Sequence, residues 1–322
     1  MTIKRTLSVL SAVALTLTCL ASCGKPAKED GKYTIGICQM NTHESLDSAT
    51  QGFKDAVIAG LGEENITFLE GNGAGESDIC VTVVNDFVAK EADLILANAT
   101  GALQAAANAT DEIPILGTSI TDYGAALSIK DFNGTVGGNI SGTSDLAPLT
   151  EQAQMLLDLL PEARTVGMLY CSAEPNSDYQ IKVVGDYLKN KGITVEDYAF
   201  STSADVATIA AAAAEKCDAL YIPTDNVAAS CAETIRGAVQ ESETPIVTGD
   251  TGTAKICGIA TLSANYYNIG KKTGEMAVMI LKGETKIGEM PIQYDETPVP
   301  MYNKTLCKEL GIKIPDTYQP IS

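Results

Sequence analysis

The chain has 322 residues, 45% hydrophobic and 20% charged, close to the averages for globular proteins. That balance excludes a disordered, collagen-like or disulfide-dense chain, and the length allows about two domains. Aromatics make up only 5%, Trp is absent and the net charge is −19. An aromatic-rich β-sandwich is therefore disfavoured, and nucleic acid or an anionic lipid surface would be repelled.

In chain order, the first feature is a leader. Lys4 and Arg5 form a basic start, and Leu7 to Leu20 is an apolar run that falls short of the ~20 residues needed to span a bilayer. It reads as a secretory signal over 1–22. The segment Leu20-Ala21-Ser22-Cys23-Gly24 resembles the bacterial lipobox, which implies cleavage before Cys23 and diacylglyceryl attachment to its thiol. Residues 23–32, with Pro26, Gly31 and no apolar side chain larger than alanine after Cys23, read as a lipidated tether. The expected location is the extracytoplasmic face of the cell membrane, held by the lipid alone. Seven further cysteines remain, with no C-x-x-C spacing, so zinc and iron–sulfur sites are not indicated.

Strand and helix signals then alternate. Tyr33–Gln39 is a strand, Leu46–Leu61 an amphipathic helix, Ile66–Leu69 a strand, Ile79–Ala89 a helix, Asp93–Ala97 a strand, Thr100–Thr110 a helix and Ile113–Gly117 a strand. The second half repeats this. Arg164–Tyr170 is a strand, Ser177–Lys191 a helix, Thr194–Tyr198 a strand, Asp205–Lys216 an alanine-rich helix, Asp218–Pro223 a strand, Val227–Gln240 a helix and Thr244–Thr248 a strand. Ile35 corresponds to Val166, Asp93 to Asp218 and Pro114 to Pro245. The expected fold is α/β: two Rossmann-like lobes of parallel sheet flanked by helices and joined by a hinge. The expected division is 33–140 plus about 262–288 for lobe 1, and 141–261 plus about 289–322 for lobe 2. A helix within Thr261–Gly283 and a closing helix around Lys304–Leu310 complete the chain.

Ligands of parallel sheets bind at the carboxyl ends of strands, and polar residues collect at those ends. They include His43 and Asp47 beside Leu46, then Ala99 and Thr100, then Ser119, Thr121 and Asp122, then Ser144 and Asp145 at the junction of the halves. The second half supplies Glu174, Asn176 and Ser177, then Thr224, Asp225 and Asn226, then Asp250. Hydroxyls and free amides at helix starts suit a carboxylate, and aspartates suit an ammonium, so the set fits a zwitterion. Asp225 or Asp122 is the expected ammonium partner. Donors near Thr100, Ser144 or Ser177 are expected for the ligand carboxylate, because no Arg lies at a strand end. The same residue types are also ordinary helix N-caps.

The stretches His43-Glu44-Ser45-Leu46-Asp47, Asn98-Ala99-Thr100, Ile120-Thr121-Asp122, Asn139 to Asp145, Glu174-Pro175-Asn176-Ser177 and Ile222 to Asn226 resemble the substrate-binding lipoproteins of ABC transporters. The resemblance is to the subgroup associated with tryptophan, tyrosine and phenylalanine. It implies a type I periplasmic-binding-protein fold with three crossovers, an amino acid in the cleft, and an ABC permease with its ATPase as partners. It also implies no cofactor, no metal, no catalysis and a monomer. Glu44 and Tyr123 stand where the family usually has Pro. A binder of a sugar or nucleoside, with tyrosines such as Tyr266 as stacking faces, remains an alternative, as does a lipid-anchored enzyme. Gly71-Asn72-Gly73-Ala74-Gly75-Glu76 fails the dinucleotide fingerprint at Glu76.

Overall fold

The computed structural model describes residues 31–295 and 298–321. The leader, Cys23 and most of the tether lie outside the described residues. Two sheets form. The first is built from β1 (Tyr33–Gln39), β2 (Ile66–Asn72), β3 (Leu94–Asn98), β4 (Ile115–Ile120) and β5 (Ile140–Ser144). The second is built from β6 (Thr165–Cys171), β7 (Thr194–Phe200), β8 (Ala219–Ile222), β9 (Ile246–Thr248) and β10 (Ala260–Ser263). Near the end of the chain, β11 (Gln293–Tyr294) joins the first sheet, while β12 (Val299–Tyr302) and β13 (Gln319–Pro320) join the second.

The strand orders are β11-β5-β4-β3-β1-β2 and β13-β12-β10-β9-β8-β6-β7. All pairings are parallel except β10 with β12. The strands β5-β4-β3-β1-β2 and β10-β9-β8-β6-β7 follow the same order, so the internal correspondence read from the sequence is a duplicated topology. The matched aspartates have matched work. Asp93 accepts the Thr34 N–H at 2.8 Å, and Asp218 accepts those of Arg164 and Thr165, both at 2.8 Å. Each carboxylate thereby closes the start of the central strand beside it.

The chain crosses between the sheets after β5, after β10 and between β11 and β12. Two boundaries differ from the sequence reading. Residues 141–144 stay in the first sheet, and so does β11, because Gln293 and Tyr294 pair with Thr143 and Ser144. Strand β5 carries no apolar run. Its sequence is Ile-Ser-Gly-Thr-Ser, fully buried, with the Thr143 hydroxyl bonded to that of Thr273 at 2.7 Å and the Ser141 hydroxyl to the Met290 carbonyl at 2.9 Å.

Helix Tyr266–Leu281 packs along helix Glu44–Leu61 at very short range. A Cβ at Gly270 would overlap the Ala49 carbonyl, and one at Gly52 would overlap that of Tyr267. The glycines therefore allow backbone-to-backbone contact that no other residue permits. The helix expected over Val227–Gln240 breaks into Asn226–Ser230 and Ala232–Val239. At the break the Ser230 hydroxyl donates back to the Val227 carbonyl at 2.9 Å, a competitor of regular helix bonding. Each sheet has an apolar core on both faces. No helix among the described residues is long and apolar enough to cross a membrane.

Candidate functional site

The carboxyl ends of both sheets face each other, and the chain's polar strand-end residues meet there. His43 precedes helix Glu44–Leu61, and its Nε2 lies 3.4 Å from Asn226 Oδ1 in the opposite lobe. Asn226 Nδ2 donates to Glu174 Oε2 at 2.6 Å. Its Oδ1 therefore accepts from His43 Nε2, and Nδ1 of the imidazole keeps its lone pair. Burial lowers the His43 pKa, with the nearby Asp250 opposing it, so the ring is neutral at pH 7.

Four further bonds among the described residues join the lobes. Ser45 Oγ donates to Asp250 Oδ1 at 2.7 Å, the hydroxyls of Thr121 and Thr224 meet at 3.2 Å, Lys255 Nζ donates to Glu44 Oε1 at 3.1 Å, and Asn41 Nδ2 donates to the Asn226 carbonyl at 3.4 Å. The lobes are closed on one another. Between them lies a cavity of about 10 Å³, space for roughly one water. It is lined by His43, Leu46, Ser119, Thr121, Asp145, Asn176, Thr224, Asp225, Asn226, Ala229, Asp250 and Tyr266.

Among the described residues, six buried side-chain polar atoms have no hydrogen-bond partner: His43 Nδ1, Asn98 Oδ1, Ser119 Oγ, Asp145 Oδ1, Asn176 Oδ1 and Thr261 Oγ1. Four of these six belong to residues lining this one cavity. Buried polar groups are normally paired, since each unpaired one costs about 1–3 kcal/mol. Three of the four are acceptors: the Asp145 carboxylate oxygen, the Asn176 amide oxygen and the His43 lone pair. Asn176 Nδ2 is engaged by Glu174 and the Thr224 carbonyl, at 3.0 and 2.9 Å, which fixes its oxygen as the open atom. Asp145 Oδ2 accepts from the Tyr266 hydroxyl at 2.7 Å. Burial raises the Asp145 pKa, partly offset by the bonds from Tyr266 and Thr121. Ser119 adopts φ 57, a left-handed conformation that costs a non-glycine residue about 1 kcal/mol or more.

Ten strand-end residues collected from the sequence line the cavity: His43, Leu46, Ser119, Thr121, Asp145, Asn176, Thr224, Asp225, Asn226 and Asp250. The roles differ from expectation. Asp225 caps helix Asn226–Ser230 by accepting from the Ala228 N–H at 2.8 Å. Its other oxygen takes the Cys171 N–H at 2.6 Å and the Ser177 hydroxyl at 2.7 Å. Asp122 caps the turn Tyr123–Ala126 through the Ala125 N–H at 2.6 Å and does not line the cavity. Both ammonium candidates are thus engaged as helix caps, the alternative use of such residues. Asp250 also caps, taking the Thr253 N–H at 3.0 Å as well as the Ser45 hydroxyl.

Glu174 and Ser177 stand one layer back. Glu174 holds Asn176, Asn226 and the Val227 N–H, while Ser177 holds Asp225. Burial and the neighbouring Asp225 push the Glu174 pKa up to about 7. Ser144 supports from the first lobe, donating to the Thr121 carbonyl at 3.0 Å. Asp47 accepts from Gln39 Nε2 at 2.7 Å, and Ala99 and Thr100 start helix Thr100–Ala109; none of the three lines the cavity. Donors expected near Thr100, Ser144 and Ser177 are therefore placed away from the cavity or used internally. The serine and threonine hydroxyls bordering it are those of Ser119, Thr121 and Thr224.

Residues 34–319 match the family model described as ABC transporter substrate binding protein. The chain belongs to that family. Members are solute-binding proteins that work with an ABC permease, and they are not enzymes. A curated relative named tyrosine-binding protein, from Clostridioides difficile (strain R20291), is 32% identical over 317 residues, covering 94% of this chain and 91% of that one. Among solved structures, an ABC domain from Streptococcus pneumoniae in complex with L-Trp matches with TM-score 0.84 and 32% identity, covering 88% of this chain and 96% of the other. The ligand-free, open structure of a substrate-binding protein with adhesive properties from Clostridium difficile matches with TM-score 0.68 and 31% identity, over 90% and 99% of the two chains. At nearly equal identity, this substrate-binding protein superposes better on the Trp-bound relative than on the open one. Its interlobe hydrogen bonds have the same meaning.

Proposed function

We propose that this substrate-binding protein takes up a free aromatic amino acid, Trp, Tyr or Phe, and presents it to an importing ABC permease and its ATPase. The observation that carries the reading is the convergence of four unpartnered buried polar atoms on the cavity between the lobes. An α-ammonium satisfies Asp145 Oδ1 from the hinge and Asn176 Oδ1 from the second lobe, and its charge compensates a carboxylate that burial otherwise disfavours. The α-carboxylate falls to the hydroxyls of Ser119, Thr121 and Thr224. This replaces Asp225 and Asp122 as ammonium partners, because both already act as caps.

The cavity is far smaller than any amino acid, so binding requires the lobes to part and reclose. The names of the tyrosine-binding relative and the Trp complex support an aromatic side chain, and charge pairing of a zwitterion favours an amino acid over a sugar or nucleoside. Denaturing the purified protein and weighing the released small molecules tests the reading. An aromatic amino acid is expected, and a sugar or nucleoside in its place would overturn it.

The mature chain begins at an acylated Cys23 and works as a monomer tethered to the outer face of the membrane by lipid. A Cys23→Ser variant is expected in the soluble fraction. Retention on membranes through a high-salt wash would contradict the anchor.

A further inference from the structure

Behind the first lobe's cleft loop lies a cluster of sulfur that amino-acid binding does not use. Cys38 is on β1 and Met40 lies two residues on, so both project from the same side of the extended chain. Cys80 faces them from the first turn of helix Ser77–Ala89. Cys38 and Cys80 are fully buried and Met40 is 5% exposed. Cys80 Sγ lies 3.7 Å from Met40 Sδ, and Cys38, Met40 and Cys80 belong to one buried core cluster.

The backbone makes room for these atoms. A Cβ at Gly73 would overlap Cys80 Sγ, and one at Gly101 would come within 2.7 Å of Met40 Sδ. The other five thiols among the described residues contact oxygen: Cys171, Cys257 and Cys307 reach backbone carbonyls, Cys217 the Tyr198 hydroxyl and Cys231 the Ser230 hydroxyl.

We propose that Cys38, Cys80 and Met40 form a buried three-sulfur site for a soft monovalent metal ion, of which Cu(I) is the biological example. Thiolate and thioether sulfurs select such ions over hard ones. Metal–sulfur bonds of about 2.3 Å arranged trigonally place the sulfurs about 4 Å apart, close to the Cys80–Met40 spacing. Binding replaces two S–H bonds with two metal–thiolate bonds and releases two protons, and Met40 adds a neutral third bond. No electron is transferred. The product carries one negative charge, placed at the positive end of the Ser77–Ala89 helix dipole. A bound ion would fasten helix Ser77–Ala89 to the end of β1, directly before Asn41, Thr42 and His43, the loop that enters the cleft.

The test is anaerobic titration of the reduced protein with Cu(I) in competition with bicinchoninate, on wild type, Met40→Leu, Cys80→Ser and Cys231→Ser. Circular dichroism and thermal melting report that each variant is folded. Changes beyond the ligands of metal sites already cost about 10–100-fold in affinity. Met40→Leu, which keeps the volume and both thiols, is therefore expected to weaken the tightest Cu(I) site at least tenfold, and Cys80→Ser at least 100-fold (both on the order set by that range). Cys231→Ser is expected to leave it unchanged. Equal Cu(I) affinity in wild type, Met40→Leu and Cys80→Ser would overturn the proposal. Formation of a Cys38–Cys80 disulfide in place of a retained metal would overturn it too. Neither result depends on which solute fills the cleft.

Discussion

The Tyr266 hydroxyl donates to Asp145 Oδ2 at 2.7 Å, joining the first residue of the first crossover to the first helical turn after the second. Asp145 is thereby held from the hinge, with its other oxygen left for a ligand. Removing one partner of a desolvated charge pair costs about 2–5 kcal/mol, or roughly 30-fold and upward in Kd. Asp145→Asn is expected to weaken amino-acid binding at least 30-fold (on that conversion) in calorimetric titration, with the circular dichroism spectrum unchanged. Asp122→Asn is expected to bind like wild type, since Asp122 does not line the cavity.

Ser45 Oγ and Asp250 Oδ1 form the shortest hydrogen bond between the lobes' facing ends, at 2.7 Å. Hydrogen bonds to charged groups contribute about 1.5–3 kcal/mol. Ser45→Ala leaves Asp250 its cap to Thr253 and removes only the cross-lobe bond. The variant is expected to bind about tenfold more weakly (the low end of that range), through faster release rather than slower capture. Stopped-flow fluorescence separates the two, and an unchanged release rate would count against the latch.

The repeat of the two halves is legible in the sequence because hydrophobic strands and their leading aspartates are local signals. Asp93 and Asp218 mark matching strand starts, and Ala210 to Ala214 mark a helix on propensity alone. Strand β5 is not legible, because its buried hydroxyls and Gly142 are paired with Thr273, Met290 and neighbouring backbone rather than packed in oil. The same limit applies to the site. His43, Asn176, Asn226 and Asp145 can be collected from strand ends. Which aspartate is a cap and which has an open oxygen depends on partners far apart in sequence, such as Cys171 with Asp225 and Tyr266 with Asp145. Tyr266 reads from sequence as a stacking face, and nothing local reveals that its hydroxyl orients Asp145. Ala229 lines the cavity without any local sign.

Glu174, with its pKa pushed up to about 7 by burial and by Asp225, ties stability to pH. The ordinary value of this carboxyl is 4.5, so between 4.5 and 7 the folded state holds more protons than the unfolded one. Stability is then greatest below 4.5 as far as this group is concerned, and is lost as pH rises to about 7. Asp145 and Asp225, also raised by burial, act in the same direction, while His43, lowered by burial, opposes the three carboxyls. The unliganded protein is expected to melt several degrees higher at pH 5 than at pH 8, a tenfold difference in proton affinity between the folded and unfolded states being worth about 1.4 kcal/mol. A melting temperature that rises over that interval would contradict the assignment. Ligand should reduce the difference, because an ammonium beside Asp145 favours its charged form.

The central claim is that the cleft holds a zwitterion through its ammonium. Calorimetric titration with Trp, Tyr and Phe, beside the same compounds lacking the α-amino group, tests it most directly. At least one of the three is expected to bind with a 1:1 stoichiometry, while its des-amino counterpart binds at least 30-fold more weakly (again about 2 kcal/mol or more). Equal affinity for the amino acid and its des-amino counterpart, or no binding of any of the three, would contradict it.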